Sequence, residues 1–165
     1  MTSRKISSYK AAVIQAGAFP NDTLASARKA ASLIEQACRA GARLTVFPEA
    51  FLGGYPKGSS FGAPVGLRKQ EGREAFRLYW DQAIDLDGPE VETIAAATAA
   101  TGVFAVIGCI EREHGTLYCT VLFFDGANGL VGTATGVTML ATSVISGLLV
   151  ARDGMFSVLL LTMTL

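Results

Sequence analysis

Lysine disappears from this sequence after Lys69 and cysteine after Cys119, and one histidine, His114, and one tryptophan, Trp80, serve the whole chain. Each shortage narrows the chemistry. A Ser-His-Asp triad would have to use His114, which falls in a polar, glycine-containing stretch between two apolar runs. The three cysteines, Cys38, Cys109 and Cys119, are odd in number and show no CxxC spacing. Neither a disulfide framework nor a zinc site is expected from them, and a reducing cytoplasm is the default compartment. No GxGxxG and no P-loop sequence occurs, so a nucleotide-binding βαβ unit would lack its phosphate cradle. Neither sign of charge is in excess, with 14 basic against 14 acidic residues. That balance argues against a nucleic-acid partner, which usually needs a basic surplus. The first twenty residues lack a basic start followed by an apolar run, so no signal peptide is expected, and Asn21-Asp22-Thr23 carries no weight as a glycosylation sequon.

What is present is apolar. Half of the 165 residues are hydrophobic and the mean hydropathy is +0.39, which a buried parallel-type sheet explains in part. "KAAVIQA", from Lys10 to Ala16, reads as a short buried strand. Asn21 or Asp22 can cap the helix that follows. Leu24, Ala27, Ala31, Ile34 and Cys38 recur at helical spacing, and Gly41 closes that helix. Leu44 to Phe47 reads as a second strand, so strand, helix and strand make a parallel pair with a crossover helix. Leu67 to Ile84 is expected to be helical, with Phe76, Tyr79, Trp80 and Ala83 on its apolar face. A further helix starts at Pro89, in the first helical position, and ends at Gly102. Val103 to Ile110 and Leu117 to Phe124 read as two strands of a hairpin joined through "EREHGT". Cys38, Cys109 and Cys119 all read as small core residues.

From Thr133 the character changes, since Arg152 and Asp153 are the only charges between there and Leu165. The uncharged stretch is broken by threonine, serine and glycine, and does not read as a membrane span. Strands added to an exposed sheet edge, or irregular packing, are the expectation for this tail.

The stretch "VFPEAFLGGYPKG", from Val46 to Gly58, puts a carboxylate where an apolar run meets a glycine turn. Strand two would deliver Glu49 to the carboxyl edge of the sheet, where open α/β sheets place their sites. Partial burial there would raise its pKa toward that of a useful base. Position alone leaves a second reading open, in which Glu49 caps a turn or pairs with Lys57.

"GARLTVFPEAFLGGYP", from Gly41 to Pro56, closely resembles the first signature of the nitrilase and cyanide hydratase branch of the carbon–nitrogen hydrolases. The flanking "KAAVIQAGAFPNDTLASARKAASLIEQACRAGA" and "TLYCTVLFFDGANGLVG" are similar to that family's opening strand and helix and to its hairpin. The resemblance covers residues 9–132 as the N-terminal part of such a domain and leaves 133–165 as a divergent apolar tail. It implies an α/β fold, here half of an α-β-β-α four-layer sandwich, and pairing across a helical face into homo-oligomers. It also implies a Glu-Lys-Cys covalent mechanism on small nitriles, with no metal or cofactor. In it Glu49 is the general base and Tyr55 lines the substrate pocket.

The other two triad positions depart from the family pattern. The lysine is expected after "GLVG", where this chain reads Thr133-Ala134-Thr135-Gly136. The nucleophile is expected in a later Cys-Trp-Glu elbow, and no such sequence follows. The expectation is therefore a truncated, inactive nitrilase-like chain, arising by a shifted reading frame, a retained intron or a short splice form. The alternative is a non-catalytic module that associates with a full-length partner.

Overall fold

The computed structural model describes residues 8–56, 61 and 70–135. The chain divides into a unit Met1–Thr133 and a second unit Ala134–Leu165. The expected behaviour of the 133–165 tail lies outside the described residues from Gly136 onward, as do Lys57 and the start of the helix expected from Leu67.

Five strands form one sheet in the sequential order β1-β2-β3-β4-β5. β1 (Lys10–Val13) and β2 (Ala42–Val46) pair in parallel, with α1 (Thr23–Arg39) as the connection. β2 and β3 (Phe104–Glu113) are also parallel, and α2 (Gln70–Asp81) and α3 (Pro89–Thr101) lie between them in sequence. β3 and β4 (Thr116–Asp125) are an antiparallel hairpin, and β5 is Gly129–Thr135.

The local chemistry accounts for these elements. Asp22 caps α1, its Oδ1 accepting from the Ala25 amide at 2.7 Å. Ser26 ties the entry, accepting from the Phe19 amide at 2.9 Å and donating to the Asp22 carbonyl at 2.9 Å. Pro89 occupies the first turn of α3, and Gly102 ends it. His114 and Gly115 both take positive φ, the geometry of the tight turns that match strand twist. The hairpin is longer than the sequence suggested. "ERE" belongs to β3 rather than to the turn, and only His114 and Gly115 separate the strands.

Strand alternation sorts the sheet into two faces. Thr45, Ala105, Ile107, Cys109, Leu122 and Phe124 are fully buried. Together with Ala27, Ala30 and Ile34 of α1 and Val91, Ile94 and Ala97 of α3, the apolar ones form the main core. The register places Val13, Val46, Val106 and Phe123 side by side on the opposite face. There Val13 is 75% exposed, and Val46, Val106 and Phe123 are half-buried. The architecture is thus a mixed α/β half-sandwich with α1 and α3 on one face. The aromatic face of α2 is less buried than its spacing predicts: Phe76 is exposed, and it stacks edge-on against Phe61 with ring centres 5.5 Å apart.

Candidate active site

The segment after β2 does not leave the sheet at once. The Phe47 amide donates to the Val106 carbonyl at 2.9 Å. After a turn, Leu52 runs beside β3 as a parallel bridge to Cys109, bonded through Leu52 N to Gly108 O at 3.1 Å and Ile110 N to Leu52 O at 2.8 Å. Pro48, Glu49 and Ala50 arch between these two anchors. Their backbone lies directly on Gly108, where an added Cβ would sit 2.7 Å from the Glu49 Cα and 2.7 Å from the Ala50 nitrogen. Only glycine permits that approach. Ala50 takes a positive φ of 49° while buried, a strained backbone beside the carboxylate. Gly53, at φ 93°, then turns the chain where an added Cβ would lie 2.9 Å from the Ile110 Cβ.

The arch delivers Glu49 to the face opposite α1 and α3. Its side chain is exposed, where the sequence suggested partial burial. The reason is the sheet's second face, which has no covering layer of strands among the described residues. Among the described residues the Glu49 carboxylate has one side-chain partner there: the Cys119 thiol donates to Oε1 at 3.4 Å. Cys119 is therefore no core residue, in contrast to the expectation from sequence. It lies opposite Ile110 in the hairpin register, on the Glu49 face, while its neighbour Thr120 pairs with Cys109 on the helix face. Burial, then the hydrogen bond to Glu49 and its charge, push the Cys119 thiol above its ordinary pKa. Cys109 is fully buried, and burial, Glu111 and Cys119 together push its thiol far above the usual range. Neither thiol is activated as a nucleophile in this arrangement.

Tyr55 is exposed and lines an open cleft of about 490 Å³ with Phe19, Phe61, Leu78, Tyr79 and Gln82. Glu49 is not among the lining residues, so the cleft and the carboxylate are separate features of this surface. Tyr79 stands between the two. It packs against Ala50 and Ile110 from α2, and burial first, then Cys119 and Tyr55, raise its hydroxyl. Sequence reading missed Gly108, Tyr79 and Cys119 as parts of this site. A glycine inside an apolar strand was the available signal for the first. Among the described residues, no group of three or more His, Cys, Asp or Glu is placed to hold a metal ion.

The profile of the carbon-nitrogen hydrolases matches residues 10–159. The chain belongs to the carbon-nitrogen hydrolase family. It is 75% identical over 132 residues to a nitrilase of Bradyrhizobium diazoefficiens, covering 80% of this chain and 41% of that protein. It is 50% identical over 123 residues to a bifunctional nitrilase/nitrile hydratase of Nicotiana tabacum, covering 74% and 35% respectively. An aliphatic nitrilase of Sinorhizobium fredii is 48% identical over 124 residues, covering 75% and 40%. The chain thus spans about two-fifths of the length of the curated relatives it matches. The fold resembles that of a CN-hydrolase superfamily protein from Xanthomonas campestris, with a TM-score of 0.58 at 18% identity, covering 79% of this chain and 41% of that one. These relatives place the chain in the nitrilase branch, as its Phe-Pro-Glu signature suggests.

Proposed function

We propose that this carbon-nitrogen hydrolase chain derives from an enzyme that hydrolyses nitriles to carboxylic acid and ammonia, with Glu49 as general base, and that the chain alone turns over negligibly. The observation that carries the reading is the Glu49 arch, which holds a carboxylate at the end of β2 on the open sheet face. The relatives named as nitrilases favour a nitrile over other carbon–nitrogen substrates. A covalent route needs an activated nucleophile beside its base. Cys119 beside Glu49 and Cys109 on the other face are both held protonated, and no lysine follows Lys69. Tyr55, in its cleft, is proposed to contact substrate in the longer form.

On this reading residues 9–132 are the N-terminal part of the hydrolase domain and 133–165 a divergent tail. The loss of charge after Thr133 supports that boundary. The family match itself runs on to residue 159, so sequencing the transcript across the Gly132 codon decides it. Cytoplasmic residence and homo-oligomers formed through the α1/α3 layer complete the proposal. Three unpaired cysteines suit a reducing compartment, and no helix among the described residues is long and apolar enough to cross a membrane.

Ammonia release from aromatic and aliphatic nitriles tests the activity. The expected result is background release by this chain, and robust release by a longer chain that supplies lysine and cysteine, lost on Glu49→Gln. Robust release by the short chain, abolished by Cys109→Ala or Cys119→Ala, would overturn it. The row Val13, Val46, Val106 and Phe123 on the uncovered sheet face, with Val13 open to solvent, favours one second reading, a non-catalytic module that associates with a full-length partner. Copurification of a full-length nitrilase with the tagged chain would support that reading.

A further inference from the structure

Cys119 reaches Glu49 across 70 residues of sequence, from the middle of β4 to the arch after β2. The contact is not incidental to either element. Hairpin register fixes Cys119 opposite Ile110. Ile110 is bonded through its backbone to Leu52, the residue that ends the arch. One strand, β3, therefore sets the position of both partners. The thiol is half-buried and the carboxylate exposed, so packing constrains the sulfur more than the carboxylate.

From this geometry we propose that Cys119 is a positioning residue for Glu49: its S–H holds the carboxylate over the open face of the sheet in the orientation from which it can take a proton. The assignment rests on Glu49 being the base, as proposed above. A thiol suits the task because it donates without competing for the proton. Burial and the neighbouring carboxylate keep that proton on sulfur through neutral pH. The other titratable groups around it stay protonated over the same range. Tyr79 from α2 and Cys109 from β3 are both raised, largely by burial. Among the described residues, Cys119 is then the side-chain donor that orients Glu49.

The test uses the chain as it stands and reads each partner through the other. Alkylation of each cysteine by iodoacetamide is followed by mass spectrometry from pH 6.5 to 10.5. In the unaltered chain the Cys119 midpoint is expected above that of an ordinary thiol, about 8.5. Glu49→Gln keeps an acceptor and removes the charge, so the Cys119 rate at pH 8 is expected to rise several-fold while Cys38 stays unchanged. In the reverse direction, the carboxyl carbon resonance of Glu49 is expected to shift in Cys119→Ala and to return toward its original position in Cys119→Ser. An identical Cys119 profile with and without the Glu49 charge would overturn the proposal, as would a Glu49 resonance indifferent to Cys119→Ala. Ammonia release plays no part in these readouts. A chain that hydrolyses nothing still answers them, and failure of the nitrilase reading leaves the result on the pair intact.

Discussion

Gly108 shows how a single missing carbon builds the site. A methyl group at that position would meet backbone, not a flexible side chain, at 2.7 Å on two sides. Gly108→Ala is expected to cost about 1–3 kcal/mol and to lift the Glu49 arch, which urea unfolding and the Glu49 carboxyl resonance would both register. Beneath the arch, on the other face, Glu111 is buried and accepts from the Thr120 hydroxyl at 2.6 Å. Thr120→Val leaves that carboxylate without its donor and is expected to destabilise by about 2 kcal/mol, with Thr120→Ser much milder. The raised thiols give a pH dependence of known sign. Over the range in which an unfolded thiol has lost its proton, folded Cys109 and Cys119 keep theirs. The unfolded state then binds fewer protons, and stability falls as pH rises above about 8.5. Urea midpoints at pH 7 and pH 10, under reducing conditions, should show the fall, and Cys109→Ala should reduce it. The position of Glu49 just after β2 was legible in "VFPEAF" because a carboxylate at a strand end stands out. Cys119 was not, because the facing of a strand residue depends on register. Register was fixed only once His114-Gly115 proved to be the whole turn.

At the scale of elements, the helices and strands were read mostly from their ends. Asp22, Pro89 and Gly102 mark helix limits through local hydrogen bonding and fixed dihedrals, and the observed limits fall on them. Asp22→Ala is expected to remove about 1 kcal/mol, measurable as a lower thermal midpoint, and to leave the sheet intact. The polar letters of "EREHGT" hid three residues of β3. Charge reads as loop, yet Glu111 is carried inside by its register and satisfied by Thr120 across the hairpin. For α2 the period was right and the burial was not. Its aromatic residues stack on one another, Phe76 with Trp80 at 6.3 Å between ring centres, and Phe76 stays exposed. Periodicity reports which residues share a face; it says nothing of what lies against that face.

For the molecule as a whole, the described half-sandwich has one face closed by α1 and α3 and one face of half-buried valines and Phe123 with Val13 open to solvent. Val13→Lys is expected to raise solubility and to leave both the helix-face core and association through the α1/α3 layer unaltered, as sedimentation would show. The sheet also divides by the distance its partners travel to meet. β3 and β4 close from Glu113↔Thr116 outward to Ala105↔Phe124 across a two-residue turn, whereas β1 must wait for the whole of α1 before β2 exists to receive it. Chain-closure entropy favours the local ladder. On refolding from denaturant, pulsed hydrogen exchange should find the amides of β3 and β4 protected before those of β1. The Cys119 side of the site would then be standing before Glu49 arrives, with the arch after β2 laid onto a hairpin that already carries both Gly108 beneath it and the thiol that meets it.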